Sequence, residues 1–208
     1  EKGEVSNVSL EPATQQEASD TVKVMGGEDG EIWIDALLEA EVLSPEVKTV
    51  AYTYIGSELT WPIYWEGTLG LAKADLDRAS QAIAEKLTPL EGDARVAVLK
   101  AIVSQASAAI PVVPLYAALL FRVMKDQGTH EQCIEHIHRL FATQLEVGCE
   151  MRLDESGRIR LDDLELADAV QQEVKERWPV VTTENLSELG DLAGFRLDFL
   201  KILEFLLG

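Results

Sequence analysis

The sequence predicts an α/β fold in which helices cover a parallel sheet and a helical region follows. Three observations carry this. Short β-rich runs alternate with helix-period stretches up to about residue 107. Beyond Ser107 the periodicity is helical almost to the end. The chain has 208 residues, 47% of them hydrophobic, which suits one domain with a real core.

The elements follow in order. Residues 1–30 are polar and read as a lead-in strand and a short helix, with Thr14 and Glu17 spaced as a capping box. "EIWIDALLEAEVL" sets Ile32, Trp33, Ala36, Leu37, Ala40 and Leu43 on one helical face. "KTVAYTYIG" then switches to a buried strand that ends at Gly56. A helix from about Thr68 to Leu87 leads to a second strand, "ARVAVLKAIV". Pro111 and Pro114 open a helix that runs to about Lys125, and Thr129 with Gln132 signals another before "IEHIHRLFATQL". "DESGR" is a turn, Pro179 stops the helix "LDDLELADAVQQEVKERW", and two short helices near 183–190 and 194–206 close the chain.

A formal charge of −19 excludes binding to a nucleic-acid backbone or to an anionic membrane surface, both of which need clustered cations. The longest apolar run, residues 108–121, is too short to span a bilayer. Cys133 and Cys149 show no Cys-x-x-Cys spacing, which fits a reducing, cytoplasmic setting. Glu1 is followed by no signal-peptide pattern, and the chain reads as cut from something longer. "THEQCIEHIH" offers His130, Cys133, His136 and His138, yet Ile134 stands where a His-Glu-x-x-His zinc motif needs its second histidine, so an amphipathic helix accounts for it better. "DESGR" lacks the ligands of a calcium loop.

The stretch "YIGSELTWPIYWEGTLGLAK" holds Tyr54, Tyr64 and Lys73. A phenol has a pKa near ~10 and needs help to move protons at neutral pH, and a nearby ammonium favours its ionised form. Nine helical steps amount to roughly 900°, which would put Tyr64 and Lys73 on opposite faces of one helix. The sequence therefore calls for a break, supplied by Gly67 and by Thr68 as N-cap, with Lys73 about a turn and a half inside the helix. Both side chains can then face one cleft.

These residues resemble a family, the NADH-dependent trans-2-enoyl-CoA/enoyl-acyl-carrier-protein reductases, whose signature is Tyr, eight residues, Lys. "AYTYIGSELTWPIY", "GTLGLAKADLDRA", "SQASAAIPVVPLY" and "VTTENLSELGDLAGF" all look like that family, in order along the chain. The resemblance implies the C-terminal part of a doubly wound, Rossmann-like sheet over residues 1–107 and a helical substrate-binding region over 108–208. It implies that NADH reduces the double bond of a trans-2-enoyl thioester in fatty acid metabolism, with Tyr64 hydrogen-bonding the thioester oxygen. Lys73 would hold the nicotinamide ribose and depress the tyrosine's pKa, and Tyr54 would contact the thioester carbonyl. Ile102, Val103 and Ser104 would meet the carboxamide, and "IPVVPLYAALLFRVM" would wall the acyl pocket.

Two positions depart from the family pattern: Ala74 replaces a second lysine, and Ser107-Ala108 replaces a Ser-Ser pair. The glycine-rich phosphate loop would belong to an N-terminal half, since "MGGEDG" is not Gly-x-Gly-x-x-Gly and its acids would repel a pyrophosphate. The expected assembly is a monomer, and its acidity favours coenzyme A over an acidic carrier protein as acyl carrier. Two other readings are a ketoreductase, whose Tyr-x3-Lys spacing is unmet because position 68 is Thr, and a non-catalytic acidic protein-interaction module.

Overall fold

The computed structural model describes the chain path of residues 3–207 and the side chains through Lys201. In chain order the helices are α1 (Gln15–Met25), α2 (Glu28–Glu39), α3 (Thr68–Leu87), α4 (Gln105–Ala109), α5 (Val113–Asp126), α6 (Cys133–Leu140), α7 (Asp168–Arg177), α8 (Leu186–Leu189) and α9 (Leu192–Leu207). The strands are β1 (Lys48–Thr53), β2 (Asp93–Val98) and β3 (Ile159–Arg160). They form one parallel sheet in the order β1-β2-β3, with Lys48 opposite Asp93 and Ala97 opposite Ile159.

Both faces of the sheet are covered. Residues three apart on a strand point to opposite sides. Ala94 packs with Ile34 of α2 and with Ile83 and Leu87 of α3, whereas Ala97 packs with Leu140, Ile159 and Leu161. A third cluster lies beyond the carboxyl ends of the strands, where α5 buries Tyr116, Leu119, Leu120 and Val123 against Val170 and Val174 of α7. The mostly apolar sequence of α5 follows from burial on nearly every side.

Most sequence expectations hold, and α3 starts and ends where the periodicity places it. The Thr14–Glu17 capping box forms at the start of α1. Six details differ. The face that α2 buries is set by Ile34, whereas Ile32, Trp33, Ala36 and Ala40 are exposed, because the helix packs on α3 through one narrow stripe. The helix expected from Leu161 begins only at Asp168, since the preceding run carries the buried Asp162 and Glu165 through turns. The opening residues from Gly3 form no strand. They are irregular, tied by the Val5 amide donating to Thr183 Oγ1 at 2.9 Å. The cap of α6 is Gln132 with Glu135, not Thr129, because the Thr129 amide bonds the Met124 carbonyl at 2.8 Å and so closes α5. β3 breaks the all-helical second half, since two residues are too short to show a period.

The last difference shapes the site: β2 stops at Val98 instead of running to Val103. Leu99 still donates to the Thr53 carbonyl at 2.9 Å, but the next two amides leave the sheet. Lys100 donates to His136 Nε2 at 3.2 Å, and Ala101 to Glu165 Oε2 at 2.6 Å. A strand whose donors are claimed by side chains cannot extend its ladder.

The glycines of "MGGEDG" have a packing role. A Cβ on Gly27 would lie 2.0 Å from Ala79 Cβ, and the Gly27 amide donates to Asp75 at 2.9 Å, so the pair lets the α1–α2 corner sit against α3. Gly70 matters more to the site, because a Cβ there would lie 1.7 Å from the Trp65 carbonyl oxygen. Gly70→Ala should therefore lower stability by about 1–3 kcal/mol, as overpacking against backbone does. Gly30→Ala, whose Cβ meets only Ile83 at 3.5 Å, should be neutral or stabilising. Thermal unfolding of the two variants checks the contrast.

Candidate active site

β1 ends at Thr53, and Tyr54 follows at the carboxyl edge of the sheet. The chain turns at Gly56, which has φ +79°, and passes through a series of tight turns before α3. Tyr64 sits in these turns, its amide bonding the Thr60 carbonyl at 3.0 Å. Gly67, in an extended conformation, caps α3, and Thr68 is the first helical residue rather than the cap. The break needed between Tyr64 and Lys73 is therefore present, and Lys73 stands on the second turn of α3.

The rings of Tyr54 and Tyr64 meet edge to face, 5.4 Å between centroids and 73° between planes. Tyr64 is buried at 7% exposure, and burial pushes its phenol above the ordinary value. Lys73 is half-buried, and the same desolvation pulls its ammonium down. Among the described residues no ion pair or hydrogen bond engages the Lys73 amine or the Tyr64 hydroxyl, and none joins the two. The expected lowering of the tyrosine's pKa is thus reversed, because loss of water outweighs a lysine that does not pair with it. The phenol stays a protonated donor through neutral pH.

Tyr54 is anchored from behind. Its hydroxyl donates to Glu165 Oε1 at 2.8 Å, and Tyr116 of α5 donates to the same oxygen at 3.0 Å. Glu165 Oε2 accepts the Ala101 amide at 2.6 Å. Gln171 of α7 completes the cluster, with Nε2 3.0 Å from Tyr116 Oη and 2.7 Å from the Glu165 carbonyl oxygen. Glu165 is 1% exposed, and burial raises its carboxyl above the ordinary range against the pull of its donors. Burial first, then the adjoining carboxylate, drives the Tyr54 phenol well above its usual value.

The segment after β2 lies beside this cluster. Ile102 is exposed, Val103 is buried, and Ser104 caps α4. Ser107 Oγ accepts the Ser104 amide at 2.8 Å and donates to the Ile102 carbonyl at 2.9 Å, holding the segment in one shape. A hollow of about 220 Å³ opens beside it, lined by Lys100, Ile102, Val103, Phe121 and His130. The structure thus brings together Tyr54, Tyr64 and, through Glu165, the start of the 101–104 segment. Lys73 stands on the second turn of α3 with its amine unengaged, and among the described residues no hydrogen bond or ion pair ties it to this group.

Sequence reading missed Glu165, Tyr116 and Gln171. The signal is a lone carboxylate between Leu164 and Leu166, hidden by the acidic run "DDLELAD". The histidine cluster also resolves. Because the Lys100 amide donates to His136 Nε2, that nitrogen is an acceptor, and the Nδ1 proton goes to Glu131 at 2.9 Å. His136 is a neutral structural residue, and no group of potential metal ligands is found among the described residues.

With this geometry in view, the comparisons are specific. A family model described as "Trans-2-enoyl-CoA reductase catalytic region" matches residues 1–146, and one described as "Enoyl reductase FAD binding domain" matches residues 153–207. The chain belongs to the trans-2-enoyl-CoA reductase family. It is 56% identical over 203 residues to an enoyl-acyl-carrier-protein reductase (NADH) of Opitutus terrae, covering 98% of this chain and 52% of that protein. A Tolumonas auensis protein of the same name is 56% identical, at 98% and 51% coverage. Among solved structures, Treponema denticola trans-2-enoyl-CoA reductase in complex with NAD superposes at TM-score 0.90 and 47% identity, over 96% of this chain and 50% of that one. The Clostridium acetobutulicum enzyme in complex with NADH gives 0.89 and 44%, over 92% and 48%. The chain spans about half the length of the relatives it matches.

The second description invites a test for flavin. Most described cations there are already engaged, Arg158 with Asp77, Arg160 with Asp162, Lys175 with Glu58 and Arg177 with Glu173, and Arg196 alone does not make a pyrophosphate site. α7 opens after the acidic, glycine-free run "LDDLELA", the reverse of a pyrophosphate-binding helix start.

Lys73 yields a check that needs no ligand. Its folded-state pKa lies below the unfolded one, so in the window ending near the ordinary lysine value of ~10.4 the unfolded chain holds more protons and stability rises with pH. Lys73→Met should remove that rise and leave the Tm at neutral pH no lower than in wild type, as for a residue kept at a cost to stability. Unfolding scans across alkaline pH measure both.

Proposed function

We propose that this chain is the part of an NADH-dependent enoyl-thioester reductase that carries the proton-donating tyrosine, and that Tyr64 and Lys73 form the Tyr-x8-Lys pair. The reading rests most on one observation: a buried, protonated Tyr64 and a half-buried, unpartnered Lys73 are set by the glycine break at the carboxyl edge of a parallel sheet, where such sheets take ligands. The family membership and the relatives' names support it.

NADH fits the donor set: Lys73 offers free N–H groups to ribose hydroxyls, and in the 102–104 segment, where Ser107 takes the Ser104 amide and the Ile102 carbonyl, the Ile102 and Val103 amides and the Val103 carbonyl are left for a carboxamide. Bound there, it supplies hydride to the β-carbon of the enoyl thioester. Negative charge then develops on the thioester oxygen, and Tyr64 meets it with its O–H. Tyr54 supports Tyr64 through the edge-to-face contact, and it contacts the thioester carbonyl when its O–H is turned to the cleft. The hollow beside Ile102 and Phe121 receives part of the acyl chain. No step uses a flavin.

Residues 1–107 belong to a Rossmann-like catalytic domain and 108–208 to its helical substrate region, acting as a cytoplasmic monomer. In this reading the part of the enzyme outside these residues supplies the strands and the glycine-rich turn that grip the dinucleotide's phosphates.

In the full-length enzyme Tyr64→Phe should lower kcat at least ~100-fold, as loss of a transition-state donor does, in an assay of crotonyl thioester reduction by NADH. Full activity would refute the role. The 208 residues alone should bind NADH no better than ~mM, because the phosphate grip dominates dinucleotide affinity, and should reduce no enoyl thioester. Calorimetry showing micromolar binding would place the cofactor site elsewhere.

A further inference from the structure

A phenol has one proton to donate, and in this structure the proton of Tyr54 goes to Glu165 Oε1 at 2.8 Å. So held, Tyr54 can only accept hydrogen bonds from the cleft and has nothing to give a thioester oxygen. The same Oε1 accepts Tyr116, while Oε2 accepts the Ala101 amide at 2.6 Å. A backbone amide is always a donor, so Oε2 stays an acceptor in every protonation state. The carbonyl form thus belongs to Oε2, and a proton on Glu165 sits on Oε1 between Tyr54 and Tyr116; Tyr116 Oη already accepts Gln171 Nε2 at 3.0 Å, which leaves Tyr54 as that proton's partner.

We infer that Glu165 is a positioning residue whose own proton sets the direction of the Tyr54 O–H, an inference that rests on the reductase reading above. With Glu165 ionised, Tyr54 donates backward to it. With Glu165 neutral, Oε1–H donates to Tyr54 Oη, and the Tyr54 O–H turns to the cleft as a second donor to the developing enolate. Through the Ala101 amide the same carboxyl fixes the start of the segment expected to meet the carboxamide.

The groups facing Glu165 from the surrounding elements are Tyr54 after β1, Lys100 after β2, Tyr116 on α5, Asp162 after β3 and the neutral Gln171 on α7. Burial is the largest influence and raises the carboxyl's pKa; Asp162 adds to it, and the three donors oppose it. The neutral form thus persists above the ordinary carboxylate range.

Glu165→Gln in the full-length enzyme is the test. The Ala101 amide forces the amide oxygen of Gln into the Oε2 position, which leaves Nε2 donating toward Tyr54 and holds the Tyr54 O–H outward at every pH. In wild type, kcat/KM for crotonyl thioester should fall about tenfold or more through a limb lying between the ordinary carboxylate value of ~4.3 and ~10, down to the level that Tyr64 alone sustains. In the variant the limb should vanish and activity stay level until Tyr64 titrates near or above ~10. A limb unchanged in the variant, with the rate lowered equally at every pH, would mean a purely structural Glu165 and overturn the inference. Infrared titration of the wild-type carboxylic C=O band gives a second readout that needs neither activity nor a folded variant. A band lost at the pH of the limb, and absent from Glu165→Gln, supports the inference. No such band at any pH above the ordinary carboxylate range overturns it. A wild-type enzyme that reduces no enoyl thioester would sink the reductase reading instead, and the infrared titration would still decide the proton position.

Discussion

One carboxyl group removed from water organises the end of this molecule beyond the carboxyl edge of the sheet. Glu165 accepts hydrogen bonds from Tyr54, Tyr116 and the Ala101 amide, drawing on the chain after β1, on α5 and on the chain after β2. A buried carboxyl without donors would be strongly destabilising, and a donor cluster without it would leave two phenols and a backbone amide unpaired. Each side therefore requires the other. The end of β2 follows from the same constraint, since the amide that would extend the ladder is the one Glu165 claims. From that point the chain diverges into the segment beside the proposed cofactor site, and Ser107 holds its shape.

The second organising feature is the pair of glycines that separates Tyr64 from Lys73. Gly67 ends the turns and Gly70 lets the first turn of α3 pass against the Trp65 carbonyl. A tyrosine in a turn and a lysine on a helix can then approach from different directions. Burial keeps the phenol protonated and weakens the lysine's hold on its charge. A protonated donor suits a reaction in which negative charge appears on an oxygen, and under the proposed chemistry the lysine serves mainly to hold hydroxyl groups.

The fold was largely legible because its long elements carry strong periods. α3 and α5 were readable from apolar spacing and from Pro111 and Pro114, and α1 from a capping box that forms as spaced. What failed depends on contacts distant in sequence. β3 has two residues and no readable period. The end of β2 is set by Glu165 and His136, which lie 64 and 36 residues away. Tyr54, Tyr64 and Lys73 stood out as residue types at a telling spacing, but the group behind Tyr54 did not, because an acidic run on an acidic chain looks like solvated surface. Only the fold distinguishes the buried Glu165 and Asp162 from the exposed Asp163 and Asp168 in the same run.

The central claim is that Tyr64 donates to the oxygen on which charge develops while Lys73 holds the cofactor. A crystal structure of the full-length enzyme with NADH and a saturated acyl thioester tests it most directly. The account predicts Tyr64 Oη about 2.6–3.2 Å from the thioester oxygen and Lys73 Nζ in hydrogen-bond contact with the nicotinamide ribose. A thioester oxygen held by other donors, with Tyr64 packed away from it, would contradict the account.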